Sequence, residues 1–136
     1  MVVKIMASSP TMKSALEYNE KKVSNGEAEV IHTANVDPDL GNFRETIKRY
    51  ERRNFSSKEL SFHMSVNPSS AENLSEDRVK ELVADIMEGL GFANQPYAVY
   101  RHDDIGRRHY HVVSIRTDGN GRKISSRQEN RRCLLL

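Results

Sequence analysis

Near its C-terminal end the chain carries two β-patterned runs, Tyr97–His102 (YAVYRH) and Arg108–Arg116 (RHYHVVSIR), separated by little more than the turn-like Asp103-Asp104-Ile105-Gly106. So short a connection makes the two strands antiparallel, because a parallel pair needs a crossover of about a dozen residues. This hairpin argues for a sheet that is largely antiparallel.

The rest of the pattern is read around it. Val2–Met6 is a short β-branched run stopped by Ser8-Ser9-Pro10, and Glu27–Ala34 is a second strand ended by Asp37-Pro38. Between them a helix runs from about Thr11 to Val23, with Met12, Ala15, Leu16, Asn19 and Val23 on one stripe and Asn25-Gly26 as its stop. Phe43, Ile47 and Tyr50 mark another helix. Glu59–Asn67 (ELSFHMSVN) alternates: Leu60, Phe62, Met64 and Val66 face one way, Ser61, His63, Ser65 and Asn67 the other, as in a half-buried strand stopped by Pro68. Ser75 caps a third helix whose stripe is Val79, Leu82, Val83, Ile86, Met87 and Leu90, with Gly91 beyond its end. Helices and strands alternating irregularly, with a late hairpin, predict an α+β fold: a central, largely antiparallel sheet of about five strands flanked by helices.

At 136 residues the chain fits one domain, 1–136. Its single cysteine, Cys133, excludes a disulfide framework and a cysteine-rich zinc site. No stretch approaches the roughly 20 apolar residues that span a bilayer, and the first residues lack the apolar core of a secretory signal. The expectation is a soluble, cytoplasmic protein. The net charge of +2 hides a polarity. Residues 1–100 carry 12 Lys and Arg against 15 Asp and Glu, and residues 101–136 carry 9 against 4, so the C-terminal part is basic and suits an anionic partner.

Three of the five histidines fall within ten residues: His102, His109 and His111. Residues two apart on a strand share a face, so His109 and His111 point together, and the hairpin can bring His102 beside them. Three neutral imidazoles converging from two strands make a facial site for a divalent cation. Packed or surface histidines would show the same letters without a metal. Tyr18 lies off the apolar stripe of its helix, near Ser14 and flanked by Lys21 and Lys22, where it could meet a phosphate as a nucleophile. An ordinary surface tyrosine would occupy that position equally well.

Three segments, in this order, resemble the relaxase domain of mobilization proteins, the MobA-type branch of the HUH endonucleases. SALEYNEKKV resembles the first motif, with the nucleophilic tyrosine at Tyr18; SFHMSVNPS resembles the second, with His63, Ser65 and Pro68; HDDIGRRHYH resembles the third, with His102, His109 and His111 and with Asp104 at the acidic position. LSEDRVKELVADIMEGLGF and PYAVYRH resemble the helix and strand that lead into it. Two positions depart from the usual pattern: Ile115 where an asparagine is common, and Tyr110 where an aliphatic residue is.

The resemblance implies an HUH-type, ferredoxin-like or palm-like core and a metal-dependent, strand-specific nickase acting on single-stranded DNA at a transfer origin. The cleaved strand would stay linked to Tyr18 as a 5′-phosphotyrosine, starting the conjugative mobilization of a plasmid or transposon. It assigns Tyr18, His63 and Asp104 to catalysis, and His102, His109 and His111 to a divalent ion, Mn²⁺ or Mg²⁺ ahead of Zn²⁺ or Ni²⁺. Lys21, Lys22, Ser65, Arg107, Arg108, Arg116, Arg122 and Lys123 would contact DNA, with Tyr97, Tyr100 or Tyr110 available for base stacking. Accessory mobilization proteins and a coupling protein would be partners of a monomeric enzyme in the bacterial cytoplasm. Relaxases usually run longer, so the expectation is an N-terminal piece of a larger protein. An HUH replication initiator places its tyrosine after the histidines, whereas Tyr18 precedes them. A metal-stabilised DNA-binding module without catalysis is the other alternative.

Overall fold

The computed structural model describes residues 1–54, 59–69, 73–103 and 108–125. Its elements are β1 (Val2–Ile5), α1 (Lys13–Ser24), β2 (Ala28–Ala34), α2 (Phe43–Glu51), β3 (Ser61–Asn67), α3 (Glu76–Gly89), β4 (Tyr97–His102) and β5 (His109–Ile115). The strands form one sheet in the order β1-β3-β5-β4-β2, and every neighbouring pair is antiparallel. The fold is therefore α+β.

Capping chemistry sets the helix ends. The Asn42 side chain accepts from the Glu45 amide, and the Ser75 hydroxyl accepts from the Arg78 amide, each satisfying a donor that the first helical turn leaves over. Gly91, at φ +91°, takes the left-handed conformation that ends α3.

The sheet has two covered faces. On one, Val79, Val83, Ile86, Met87 and Leu90 of α3 pack on Phe62, Met64 and Val66 of β3, Val99 of β4 and Val112 of β5. On the other, Met12, Ala15 and Leu16 at the start of α1 and Ile47 of α2 pack on Ala98, Tyr100, Val113 and Ile115. Because β1 and β2 are the opposite edges, the β1–α1–β2 connection carries α1 across this second face.

Two expectations change. The alternation in β3 predicts a half-buried strand, but β3 is interior: Ser61 and Ser65 on its polar face are 3% and 6% exposed, because α1 roofs that side. Val23, expected on the buried stripe of α1, is 38% exposed, since the last turn of the helix runs past the packed part of the face.

Candidate active site

Strand alternation aims a polar cluster at the α1 side of the sheet. In register, His109 lies opposite His102, and His111 lies between Tyr100 of β4 and Ser65 of β3. The three imidazoles converge: ring centroids are 4.0 Å apart for His102–His111, 5.1 Å for His102–His109 and 5.3 Å for His109–His111. One nitrogen from each lies within 4.8 Å of the others. His102 and His111 are buried, and His109 is partly open.

A fourth imidazole adjoins them. His63, on β3, places Nε2 2.7 Å from Nδ1 of His111. Burial, with His102 close by, lowers its pKa from 6.5 to about 4, so it stays neutral at pH 7.

α1 lies over this group. Tyr18 sits with its ring centroid 5.8 Å from that of His111 and 6.0 Å from those of His63 and His102. It is 45% exposed and lines an open cavity of about 400 Å³ together with Met6, Ser9, Ser14, His63 and His111. That volume is within the range of small-ligand sites. Lys22 reaches toward the Tyr18 ring, 5.8 Å from its centroid, while its ammonium also pairs with Glu27 at 3.0 Å. The next residue along the helix, Asn19, is fully buried; its Nδ2 donates to the Ala15 carbonyl and its Oδ1 meets His102 Nε2, both at 2.9 Å.

The trio fits a divalent ion in donor chemistry. Two imidazole nitrogens bound to one ion at about 2.1 Å lie at most about 4.2 Å apart, which small ring rotations reach from the observed spacing. In His102 and His111 one ring nitrogen is held by a side chain, Asn19 and His63 respectively, as is usual for histidines that bind metal through the other nitrogen. Asp103 is occupied elsewhere, pairing with Arg101 at 3.1 Å and Arg108 at 3.3 Å. Arg101 also holds Glu29 and Glu76, tying β4 to β2 and α3.

The other residues expected at the site divide. Lys21 is exposed on α1, and Arg108 is exposed just before β5. Asp104 and Arg107 lie outside the described residues. Ser65 is buried and its hydroxyl receives Asn67 Nδ2 at 3.1 Å, so it is not open to a passing DNA strand. Arg116, expected to track DNA, is instead 1% exposed: its Nε donates to Ser8 Oγ and the Ser61 carbonyl, and its guanidinium lies over Phe62 and Phe92. An apolar alternation that continues to the end of β5 carries this side chain inside. Arg122 and Lys123 are exposed on the turn that follows β5, where Lys123 pairs with Thr117 and its ammonium with Glu59. At strand rise Thr117 is about 20 Å from His111, so these two cations are at the far end of β5 from the histidines. Tyr97, Tyr100 and Tyr110 are 2–5% exposed, part of the core rather than stacking surfaces.

Asn19 is the functional-site residue that sequence reasoning passed over. Its signal was a polar side chain on an otherwise apolar stripe, which has to find a buried partner.

A comparison with curated proteins returned no match. Among described residues no helix is long and apolar enough to cross a membrane. The sequence profile of the relaxase family described as MobA/VirD2-like, nuclease domain, matches residues 18–134, a stretch that opens on Tyr18 and spans the whole histidine cluster. On that match over most of its length, the chain belongs to the MobA/VirD2-like relaxases, through their nuclease domain.

Proposed function

We propose that this nuclease domain is a site- and strand-specific DNA transesterase, cutting single-stranded DNA at a transfer origin through a phosphotyrosine at Tyr18 and so initiating mobilization of a plasmid or transposon. The observation that carries this reading is the half-exposed Tyr18 ring held within 6.0 Å of three imidazoles beside an open cavity. A surface tyrosine has no reason to gather such neighbours, whereas a nucleophile needs them.

The Tyr18 oxygen attacks the scissile phosphorus as the bond to the 3′ oxygen breaks. The phenol loses its proton, the departing 3′ oxygen gains one, and the 5′ phosphate stays on the protein. The reverse reaction rejoins the strand. His63, held neutral with its Nε2 against His111 Nδ1, keeps its other ring nitrogen as a contact for a phosphate oxygen. A divalent ion on His102, His109 and His111, Mn²⁺ or Mg²⁺ ahead of Zn²⁺ or Ni²⁺, would supply positive charge against the charge growing on the non-bridging oxygens, undiminished by its neutral ligands. Lys21 and Arg108, both exposed, are the candidate contacts for the DNA backbone. Asp104, next to the trio in sequence, is the candidate for orienting a histidine or accepting a proton.

The test is a denaturing gel of protein mixed with labelled single-stranded DNA spanning the element's own transfer origin, with Mn²⁺ or Mg²⁺, with and without chelator. An adduct that needs metal and disappears in Tyr18→Phe is the expected result. Cleavage without an adduct would replace the tyrosine mechanism by activated water. Neither product, with DNA still bound, would leave a binding module.

A further inference from the structure

Asn19 joins the nucleophile helix to the metal-binding strand through a single side chain. A carbonyl oxygen only accepts hydrogen bonds, so the Asn19 atom facing the Ala15 carbonyl at 2.9 Å is the amide nitrogen. That fixes Oδ1 as the atom 2.9 Å from His102 Nε2, and two acceptors would repel there, so Nε2 carries the proton. A neutral imidazole protonated on Nε2 has its lone pair on Nδ1.

We infer that Asn19 is a positioning residue that locks His102 in the Nε2–H tautomer and so selects Nδ1 as its metal-binding atom. This rests on the metal reading of the histidine trio given above. Asn19 is fully buried, so water does not compete for the bond, and it follows Tyr18 directly on α1. One hydrogen bond therefore sets the ligand tautomer and ties that histidine to the helix that carries the nucleophile. An apolar residue of similar size at 19 would fill the space and keep the helix packed, but it would leave the imidazole free to change tautomer and turn.

The direct measurement is the tautomer of His102 in the metal-free full chain, from long-range ¹H–¹⁵N correlation spectra with ¹⁵N-histidine and His102→Gln for assignment. The expected result is Nε2–H in the wild type and a mixture in Asn19→Leu. Calorimetric titration with Mn²⁺ alone should then show affinity reduced about 10- to 100-fold in Asn19→Leu. Asn19→Asp keeps an acceptor and should stay within about tenfold of wild type. A wild-type His102 protonated on Nδ1 overturns the inference, and it decides the matter even if Asn19→Leu does not fold. Equal Mn²⁺ affinity in wild type and folded Asn19→Leu also overturns it, while leaving the metal site standing. A wild-type chain that takes up no ion overturns the metal reading and the inference with it.

Discussion

The two faces of the sheet are cut from the same strands by the same two-residue alternation, yet they have opposite chemistry. On β3 the residues facing α3 are Phe62, Met64 and Val66, each 0% exposed, while the residues facing α1 are Ser61, His63 and Ser65. β5 repeats the contrast, with Tyr110 and Val112 on the α3 side and His109 and His111 on the other. The α3 face is closed by a helix with a continuous apolar stripe. The α1 face is closed where Met12, Ala15 and Leu16 pack beside Ile47 of α2, and farther along α1 meets the sheet through Asn19 and Tyr18 over imidazoles. Stability and chemistry are thus separated by side of the sheet, with α1 serving both.

The two faces come apart most visibly in a pair of single variants. Phe62→Ala removes a fully buried ring and should cost about 3–5 kcal/mol, read by urea unfolding. Tyr18→Phe, on the other side, should abolish the DNA adduct and leave the unfolding free energy within about 0.5 kcal/mol of wild type, since Tyr18 is half exposed. A Tyr18→Phe protein that unfolds early would make the tyrosine structural.

Arg116 provides a second contrast. Arg116→Ala should cost about 2–5 kcal/mol, because it empties a buried site between Phe62 and Phe92 and strips the Ser61 carbonyl of its donor. The same variant should leave the salt dependence of DNA binding unaltered in a filter-binding series.

The histidine face should also be where acid enters stability. In chelator-treated protein, His63 takes a proton near 6.5 when unfolded and only near 4 when folded. The unfolded chain therefore binds more protons across that window. Stability is fully present above it and falls as the pH drops, by up to about 3 kcal/mol at pH 4. His63→Gln should flatten that part of the pH–stability curve measured by thermal unfolding; an unchanged curve would place the acid sensitivity elsewhere.

The smallest effect sharpens the assignment of the DNA-facing side. Lys21 is exposed on α1, and Lys21→Ala should leave stability unchanged while reducing the slope of log affinity against log salt by about 1. No change in slope would remove Lys21 from the backbone path.

Much of this was legible because it depends on local order. The hairpin, the caps at Asn42 and Ser75 and the alternation of β3 are properties of neighbouring residues, and so is the placing of His109 and His111 on one side. What alternation does not reveal is which face another element will cover. Arg116 read as a surface cation because charge usually marks solvent, and only the packing of Phe62, Phe92 and the β1–α1 connection around it made an interior place for a guanidinium. Tyr97, Tyr100 and Tyr110 likewise read as available aromatics, but β4 and β5 are inner strands covered on both faces.

From sequence alone, then, follow the α+β class, the shared face of His109 and His111, and the resemblance that singles out Tyr18, because each is written in short-range spacing. The tertiary structure alone decided that His63 bonds to His111, that Asn19 holds His102, and that Arg116 is interior. These contacts join residues 48, 83 and 55 positions apart in the chain, and no local preference encodes them. They arise when α1 crosses from one edge of the sheet to the other and the strands pair out of sequence order.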